Sequence, residues 1–299
     1  MSILTKWLES MHVDMEITKR CSRKRNHRSS CQFCLDACKT GAISIEGQEI
    51  HIDLDLCNSC GDCMVSCPLS AIEGISVLRI FDNRSLQYSD QYKISDKELL
   101  IYKEKGIQTI MTVSRLNEQW TSAIEEANQK LVLLEERPFT VTGPDGGNLS
   151  KRELFSFIKK QGRQLGKDLS PAAWKIQSGE WILTNYFSDY QFYTVQVDVE
   201  KCSLCQACFH FCTQNVFLLE DSALQIDHGK CVNCTDCTDL CPQSALRIIP
   251  EIKKKAISSI AVIYHTCQKC GTVFPSFHNG EHACHICKER NPEWLSPIG

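Results

Sequence analysis

Residues 202–212 read CSLCQACFHFC, and residues 231–242 read CVNCTDCTDLCP. Both runs space four cysteines as C-x2-C-x2-C-x3-C. Subtracting 174 from these positions places seven of the eight cysteines on another cysteine, within residues 31–38 and 57–67. The eighth, Cys202, falls on Arg28. The chain therefore carries one pattern twice, with a single ligand position changed.

The repeat extends to the sequence between the runs. Residues 42–53 read AISIEGQEIHID, and residues 216–227 read VFLLEDSALQID. Each stretch predicts a short apolar strand, a turn at Gly47 or Asp221, and a second strand that leads into the next cysteine run. We therefore expect two copies of one small fold.

This pattern resembles the bacterial-type ferredoxin with two 4Fe-4S clusters, over about residues 18–76 and 190–250. In that family the fourth cysteine of each run ligates the other cluster. The resemblance depends on the spacing, since Lys39 and Thr213 stand where the family often has proline. It implies four ligand sets: Cys202, Cys205, Cys208 and Cys241; Cys231, Cys234, Cys237 and Cys212; Cys57, Cys60, Cys63 and Cys38; and Cys31, Cys34 and Cys67 with Cys21.

The set that contains Cys21 is the irregular one. Three arrangements are compatible with this set. In the first, Cys21 closes a normal 4Fe-4S cluster across residues 22–30. In the second, three thiolates hold a 3Fe-4S cluster, and in the third the site is empty. Cysteine arithmetic favours the first, because all twenty cysteines are then used. Zinc is the alternative for the regular sets, but zinc prefers two separated C-x2-C knuckles.

Twenty cysteines in 299 residues far exceed ordinary usage. The N-terminus lacks the features of a signal peptide, and the longest apolar stretch, near residues 256–264, is too short to span a bilayer. We therefore expect no transmembrane segment. We expect a cytoplasmic location, either free or at the cytoplasmic face of a membrane complex, and reduced thiols that bind metal.

A net charge of −3 gives no overall electrostatic attraction to nucleic acid, and no nucleic-acid partner is expected.

The stretch SRKRNHRSS after Cys21 has four basic residues and no acid: Arg23, Lys24, Arg25 and Arg28. Such a run is either a solvated surface loop, or it binds an acidic partner or raises the potential of a nearby cluster. A nine-residue loop costs little to close.

Residues 267–287 read CQKC, thirteen residues, then CHIC. Two knuckles at this spacing resemble a zinc ribbon, and they imply four ligands: Cys267, Cys270, Cys284 and Cys287. Rubredoxin-type iron is the alternative metal. His278, His282 and His285 are expected to be surface residues.

The middle of the chain has no cysteine between residues 77 and 185. Its pattern predicts strands at 76–81 and 107–113 and helices at about 96–105 and 117–136. The second helix places five side chains on one face: Trp120, Ile124, Ala127, Leu131 and Leu134. Residues 143–148, GPDGGN, predict a turn, and a helix with a capping box follows from Ser150. A further helix is expected at the N-terminus, from apolar spacing through Ile3, Trp7 and Met11.

We therefore predict an α+β protein with two ferredoxin-like iron-sulfur modules separated by a small α/β unit and a helical segment, with a C-terminal zinc ribbon. The predicted domains are 1–76, 77–148, 149–185, 186–252 and 253–299. The predicted cofactors are four 4Fe-4S clusters and one zinc.

The expected function is electron transfer, as the relay subunit of a larger anaerobic oxidoreductase. The partners would be a catalytic subunit or a small redox carrier. No nucleophile-base pair or nucleotide motif predicts a catalytic site in the chain itself. The alternatives are an iron-sulfur redox sensor or assembly factor whose zinc ribbon contacts a client, and a reductase with an open cluster at the Arg28 site.

Overall fold

The computed structural model describes residues 15–143, except 76 and 78, and residues 181–288, except 221. The chain divides into two compact units, Met1–Arg25 with Cys31–Phe187 and Asn26–Ser30 with Ser188–Gly299. Small sheets and short helices occur in both, so the protein is of mixed α and β class, compatible with the predicted α+β fold. Within the described ranges, no helix combines the length and the apolar character needed to cross a bilayer.

The first cysteine-rich module (residues 15–75) is built around a hairpin of β2 and β3. Gly47 turns the hairpin in the left-handed region, at φ 61°. A short helix follows the start of each cysteine run, and β1 pairs antiparallel with β4 to join the ends of the module. Its elements are β1 Glu16–Ile17, α1 Ser22–Arg25, α2 Phe33–Ala37, β2 Ile43–Glu46, β3 Glu49–Ile52, α3 Asp62–Ser66 and β4 Ile72–Glu73.

The α/β segment (residues 79–143) follows in the same unit. Its four-stranded sheet has the order β5-β6-β7-β8, and β6, β7 and β8 are parallel. Parallel neighbours need crossover connections, which the two helices supply. Its elements are β5 Phe81–Asp82, β6 Ser85–Gln87, α4 Asp96–Glu104, β7 Thr109–Met111, α5 Glu118–Leu133 and β8 Thr140–Thr142.

Both helices of this segment start at side-chain caps. Ser95 accepts a hydrogen bond from the Glu98 amide, and Asn117 accepts one from the Trp120 amide at 2.9 Å. The face predicted for α5 is confirmed, since its five apolar residues are all buried, including Trp120 and Leu131 at 0 % exposure. The helix packs against α4.

The second cysteine-rich module (residues 188–262) repeats the first and adds to it. The hairpin of β10 and β11 carries a third strand, β13, and the long strands β9 and β12 pair antiparallel. Residues 257–261, grouped with the C-terminal segment in the sequence analysis, are thus hydrogen-bonded into this module. Its elements are β9 Tyr190–Val197, α6 Ala207–Phe211, β10 Phe217–Glu220, β11 Ala223–Asp227, α7 Asp236–Leu240, β12 Leu246–Lys254 and β13 Ile257–Ala261.

The C-terminal hairpin (residues 263–288) consists of antiparallel β14 Ile263–Thr266 and β15 Val273–Ser276, followed by α8 His285–Lys288. Its small core is formed by Phe274 and three cysteines, Cys267, Cys284 and Cys287. An interior this small cannot supply a large hydrophobic stabilisation by itself.

Three predicted segments lie wholly or mostly outside the described residues. The N-terminal helix, the helix from Ser150 and most of the turn at 143–148 lie outside them. Of the strand predicted at 76–81, Phe81 alone is in a strand among the described residues. The strand predicted at 107–113 is found as the shorter β7. The five predicted domain boundaries stay a prediction.

Candidate metal centres

One cavity in the first module brings together the irregular set of thiols, Cys21, Cys31, Cys34 and Cys67. Cys21 directly precedes α1, Cys34 lies in α2, and Cys67 ends α3. Apolar side chains complete the wall: Ile17, Phe33, Ile50, Pro68, Leu69, Ala71 and Ile72. Four thiols therefore face one apolar cavity, although Cys21 is ten residues from Cys31 in the sequence.

The spacing of these thiols separates a polyatomic group from a single ion. Among the described residues, the one group of thiols whose sulfurs all lie within 4.8 Å of one another is in the C-terminal hairpin. The thiols of this cavity are therefore spread more widely than the ligands of a lone ion. Sulfur donors in apolar surroundings suit an iron-sulfur cluster, so the donor set and the spacing of the thiols both fit such a group.

The thiols of this cavity are hard to ionise in the absence of positive charge. Burial raises the pKa of Cys31 to about 11, and the neighbouring Cys67 and Cys21 contribute to the rise. Burial likewise raises the pKa of Cys34 to about 12, and the neighbouring Cys31 and Cys67 add the most to the rise after burial. A bound cation would offset both effects, because metal ligation requires the thiolate.

The backbone of the first run differs from that of the three regular runs. In each regular run the residues on either side of the second cysteine are left-handed: Ser59 and Gly61, Leu204 and Gln206, and Asn233 and Thr235. At the matching positions of the first run, neither Ser30 nor Gln32 has a left-handed backbone, and Gln32 has φ −134°. The run that lacks its first cysteine thus also lacks the turn that would present a ligand there, and the side chain of Arg28 is exposed.

The basic stretch after Cys21 is partly folded inward. Arg23 is 7 % exposed and donates hydrogen bonds from Nε to the Cys31 carbonyl at 2.6 Å and from Nη1 to the Gly47 carbonyl at 3.4 Å. The Lys24 ammonium donates to the Ile17 carbonyl. The bonds of Arg23 hold α1 against the cysteine run and the hairpin, and that of Lys24 holds it against β1, so both residues have a structural use that the sequence did not indicate.

A second cavity lies in the second module and is lined by Cys212, Cys231, Cys234 and Cys237. Its empty volume, including the mouth, is about 340 Å³, and Val195, Val216 and Ile248 are among its apolar walls. Burial raises the pKa of Cys231 to about 11 and that of Cys234 to about 12. Its thiols are the set that the resemblance implied.

In each of the two remaining sets the thiols are close enough to influence one another electrostatically. Burial raises the pKa of Cys63 to about 12, and four neighbouring thiols add to the rise: Cys60, Cys34, Cys57 and Cys38. Burial raises the pKa of Cys208 to about 12, with Cys202, Cys205 and Cys241 adding to it. In both cases the neighbours include a thiol from the other run of the module, as the crossed pattern of the resemblance requires.

The last cysteine of each run accepts hydrogen bonds from the chain that follows it. The amides of Ala71, Val216 and Ala245 donate to the sulfurs of Cys67, Cys212 and Cys241, at 3.3, 3.5 and 3.3 Å. Burial raises the pKa of Cys38, but hydrogen bonds from Thr40 and from backbone amides outweigh this effect and lower the pKa below its ordinary value. Hydrogen bonds to sulfur are one means by which a protein sets the potential of a cluster.

Two cations that the sequence analysis missed reach the first module from the α/β segment. Arg79 donates to Glu98 at 2.7 Å and to Asp62 at 3.2 Å, and all three residues are buried. Burial alone would lower the pKa of Arg79, but Glu98 more than offsets this and raises it above the ordinary value. An arginine within the apolar stretch SVLRIF was the available signal.

The second cation is Lys97, near the start of α4. Its ammonium donates to the carbonyls of Val65 at 2.7 Å and Cys67 at 3.0 Å, at the end of α3. Burial lowers the pKa of Lys97 to about 8, while Cys67 raises it. A positive charge therefore lies beside a thiol of the first cavity.

The C-terminal hairpin brings Cys267, Cys270, Cys284 and Cys287 together, with all four sulfurs within 4.8 Å of one another. Zn–S bonds of about 2.3 Å in a tetrahedron place sulfurs about 3.8 Å apart, and Cys270 and Cys284 are separated by 3.9 Å. A backbone hydrogen bond from Cys284 is the main cause that lowers the pKa of Cys267 to about 6. This compact set could hold a single metal ion.

The histidines near this set make other contacts. His278 donates through Nε2 to the Val199 carbonyl at 3.2 Å, and His282 contacts the side chain of Gln268 at 3.3 Å. Within the described residues this tetrad is the one group compact enough for a single ion. The other cysteine sets are wider, which is consistent with a polyatomic group.

Comparison with known proteins gives one family match. The sequence profile of the 4Fe-4S dicluster domain matches residues 28–71, which include seven cysteines of the first module but not Cys21. No curated protein matches the chain. The match and the cysteine content support an iron-sulfur protein with a ferredoxin-like part, and a 4Fe-4S domain points to iron-sulfur electron transfer.

Proposed function

We propose that the chain is an iron-sulfur electron-transfer protein with four 4Fe-4S clusters, two in each cysteine-rich module, and one zinc ion in the C-terminal hairpin. The observation that carries the proposal is the first cavity, where Cys21, Cys31, Cys34 and Cys67 line one apolar site. The family match at residues 28–71 supports the same assignment.

The second module supports the count by repetition. Its spacing is the more regular of the two copies, since both of its runs have all four cysteines. Its cavity, lined by Cys212 and by the three cysteines of the following run, has nearly the same empty volume as that of the first module. The crossed origin of the fourth thiol is common to both modules, as in dicluster ferredoxins.

The protein's own contribution is to hold the thiols and set their surroundings. When bound, such clusters supply one-electron transfer at potentials set by hydrogen bonds to sulfur, exposure and nearby charge. The amides of Ala71 and Ala245 and the side chains of Lys97 and Arg79 provide these influences. The aliphatic walls limit the access of water to the thiols.

The role in a larger assembly is also a proposal. We assign the chain to the relay subunit of an oxidoreductase, with a catalytic subunit or small redox carrier as partner. The side chains of Lys24, His27 and Arg28 are exposed, so this part of the basic stretch can bind an acidic partner.

Zinc is preferred to rubredoxin-type iron in the C-terminal hairpin because the two knuckles are so close in sequence.

Anaerobic metal and sulfide analysis of the reconstituted full chain tests the proposal. We expect about sixteen iron and sixteen sulfide per chain, with about one zinc. About eight iron would exclude one module. Reversible cycling of the electron paramagnetic resonance signals supports the relay, whereas loss of iron on mild oxidation supports the sensor.

A further inference from the structure

The two modules differ at the outer edge of their hairpins. In the second module β13 pairs antiparallel with β11 from Ala223↔Ala261 to Asp227↔Ile257. In the first module β2 and β3 form a two-stranded sheet among the described residues. The outer edge of β3 therefore corresponds to the outer edge of β11, which β13 covers in the second module.

The register shows which backbone groups this leaves open. The Asp53 amide donates to the Ala42 carbonyl at 2.8 Å, so in β3 the alternate residues Glu49 and His51 face β2. The amides and carbonyls of Ile50 and Ile52 then point away from β2. Their counterparts 174 residues later, Leu224 and Ile226, are paired with β13.

Burial follows the same difference. Leu224 and Ile226 are each 1 % exposed, whereas Ile50 and Ile52 are only half-buried. Beyond the strand, Leu54 is 70 % exposed, while its counterpart His228 is 5 % exposed and lies 2.9 Å from the Ser258 hydroxyl of β13. An apolar strip thus accompanies the open backbone groups of β3.

The charges indicate what kind of strand would fit. In the second module the lysines 253–255 precede β13, and the Lys255 ammonium lies 3.7 Å from the Asp227 carboxylate. Asp53 is the counterpart of Asp227 and is exposed. Asp55 is also exposed and follows Asp53 at this end of β3, whereas the exposed Glu46 and Glu49 lie at the turn of the hairpin. The end of β3 near Asp53 is therefore acidic and matches a strand with a basic N-terminal end.

We propose that the open edge of β3 binds an extended segment of a partner polypeptide by antiparallel strand addition. The segment carries lysine or arginine at its N-terminal end, followed by aliphatic residues at alternate positions, as in residues 253–261. Main-chain hydrogen bonds supply affinity in this mode and alternate side chains supply specificity. Because Leu54 and Leu56 lead into Cys57, the bound partner lies beside a cysteine set of the first module.

The test uses the full reconstituted chain and a synthetic peptide with the sequence KKKAISSIA, that of residues 253–261. We expect saturable binding by fluorescence anisotropy and slower amide hydrogen exchange at Ile50 and Ile52 on addition of the peptide. Ile52→Pro removes one outward amide while keeping the bonds to β2, and should weaken binding by about tenfold, the effect of about 1.4 kcal/mol.

Ile45→Pro is the matched control. Ile45 lies opposite Ile50, so its amide faces away from β3 on the other edge of the same hairpin. This variant should bind the peptide as the unchanged chain does, and both variants should retain the iron content. A peptide whose three lysines are replaced by glutamate should not bind at all.

Five results would overturn the proposal. Three concern the peptide: the absence of binding, equal binding of the glutamate peptide, and equal weakening by Ile45→Pro. The fourth is strong protection of the Ile50 and Ile52 amides in the chain alone, which would assign the edge to a segment of the same chain. The fifth is sedimentation as a dimer that Ile52→Pro dissociates, which would assign the edge to a second copy.

Discussion

The ammonium of Lys97 donates a hydrogen bond to the carbonyl oxygen of Cys67 at a distance of 3.0 Å. Lys97 comes from the α/β segment and Cys67 lines the first cavity, so the cysteine-free part of the chain supplies a charge to the proposed cluster site. The segment without cysteines thus does more than separate the two modules.

Removal of this charge should lower a reduction potential. A nearby cation favours the reduced cluster, which carries more negative charge, so Lys97→Met should shift one potential to more negative values in an anaerobic redox titration. Lys97→Arg should retain most of the potential, because it keeps the charge. Lys103→Met is the control. Lys103 is on the same helix as Lys97, but its ammonium lies over the ring of Phe139. An unchanged potential in Lys97→Met would contradict this role.

Arg79 should matter mainly for stability. Its guanidinium is the partner of Glu98 and Asp62, and the side chains of Arg79 and Glu98 are each 1 % exposed. Arg79→Met leaves two buried carboxylates without this cation and should lower the free energy of unfolding by about 3–5 kcal/mol. Denaturant unfolding of the apoprotein measures the change.

The control for Arg79 is an exposed ion pair. Lys201 contacts Asp198 at 3.0 Å with both side chains well exposed, and Lys201→Met should cost less than about 1 kcal/mol. Equal effects of the two substitutions would show that the buried network does not stabilise the first unit.

Much of the hairpin and helix pattern could be predicted from sequence. The two copies, which are offset by 174 residues, predicted both cysteine hairpins. The spacing of apolar residues predicted α5 with its buried face. Strands β6 and β8 were not predicted, because each has three residues and its pairing depends on a parallel neighbour distant in sequence. Strand β13 reads ISSIA, a weak pattern whose position is fixed by hydrogen bonds to β11.

The candidate sites show the same division between local and distant information. Spacing and the family resemblance indicated the three regular cysteine sets, and cysteine arithmetic favoured Cys21 for the fourth. Sequence could not indicate that Arg23 would donate to the Cys31 carbonyl, or that Arg79 and Lys97 would reach the first module. Those contacts depend on how separate elements pack, which no local motif encodes.

The C-terminal tetrad should bind one zinc ion independently of the clusters. Cys284→Ser should abolish the zinc and increase amide exchange across residues 263–288, because little hydrophobic core remains there. His278→Ala is the control and should retain zinc, since His278 contacts the Val199 carbonyl. Zinc retention in Cys284→Ser, or iron in place of zinc in the unchanged protein, would contradict this assignment.

The account depends most on Cys21, because it is the ligand that the regular spacing does not supply. The decisive measurement is the iron content and electron paramagnetic resonance of Cys21→Ala beside Arg28→Ala, a control in the same basic stretch. We expect Arg28→Ala to keep about sixteen iron, and Cys21→Ala to fall to about twelve or to gain the signal of a 3Fe-4S cluster. Unchanged iron and spectra in Cys21→Ala would show that Cys21 is not a ligand and would contradict the proposed first site.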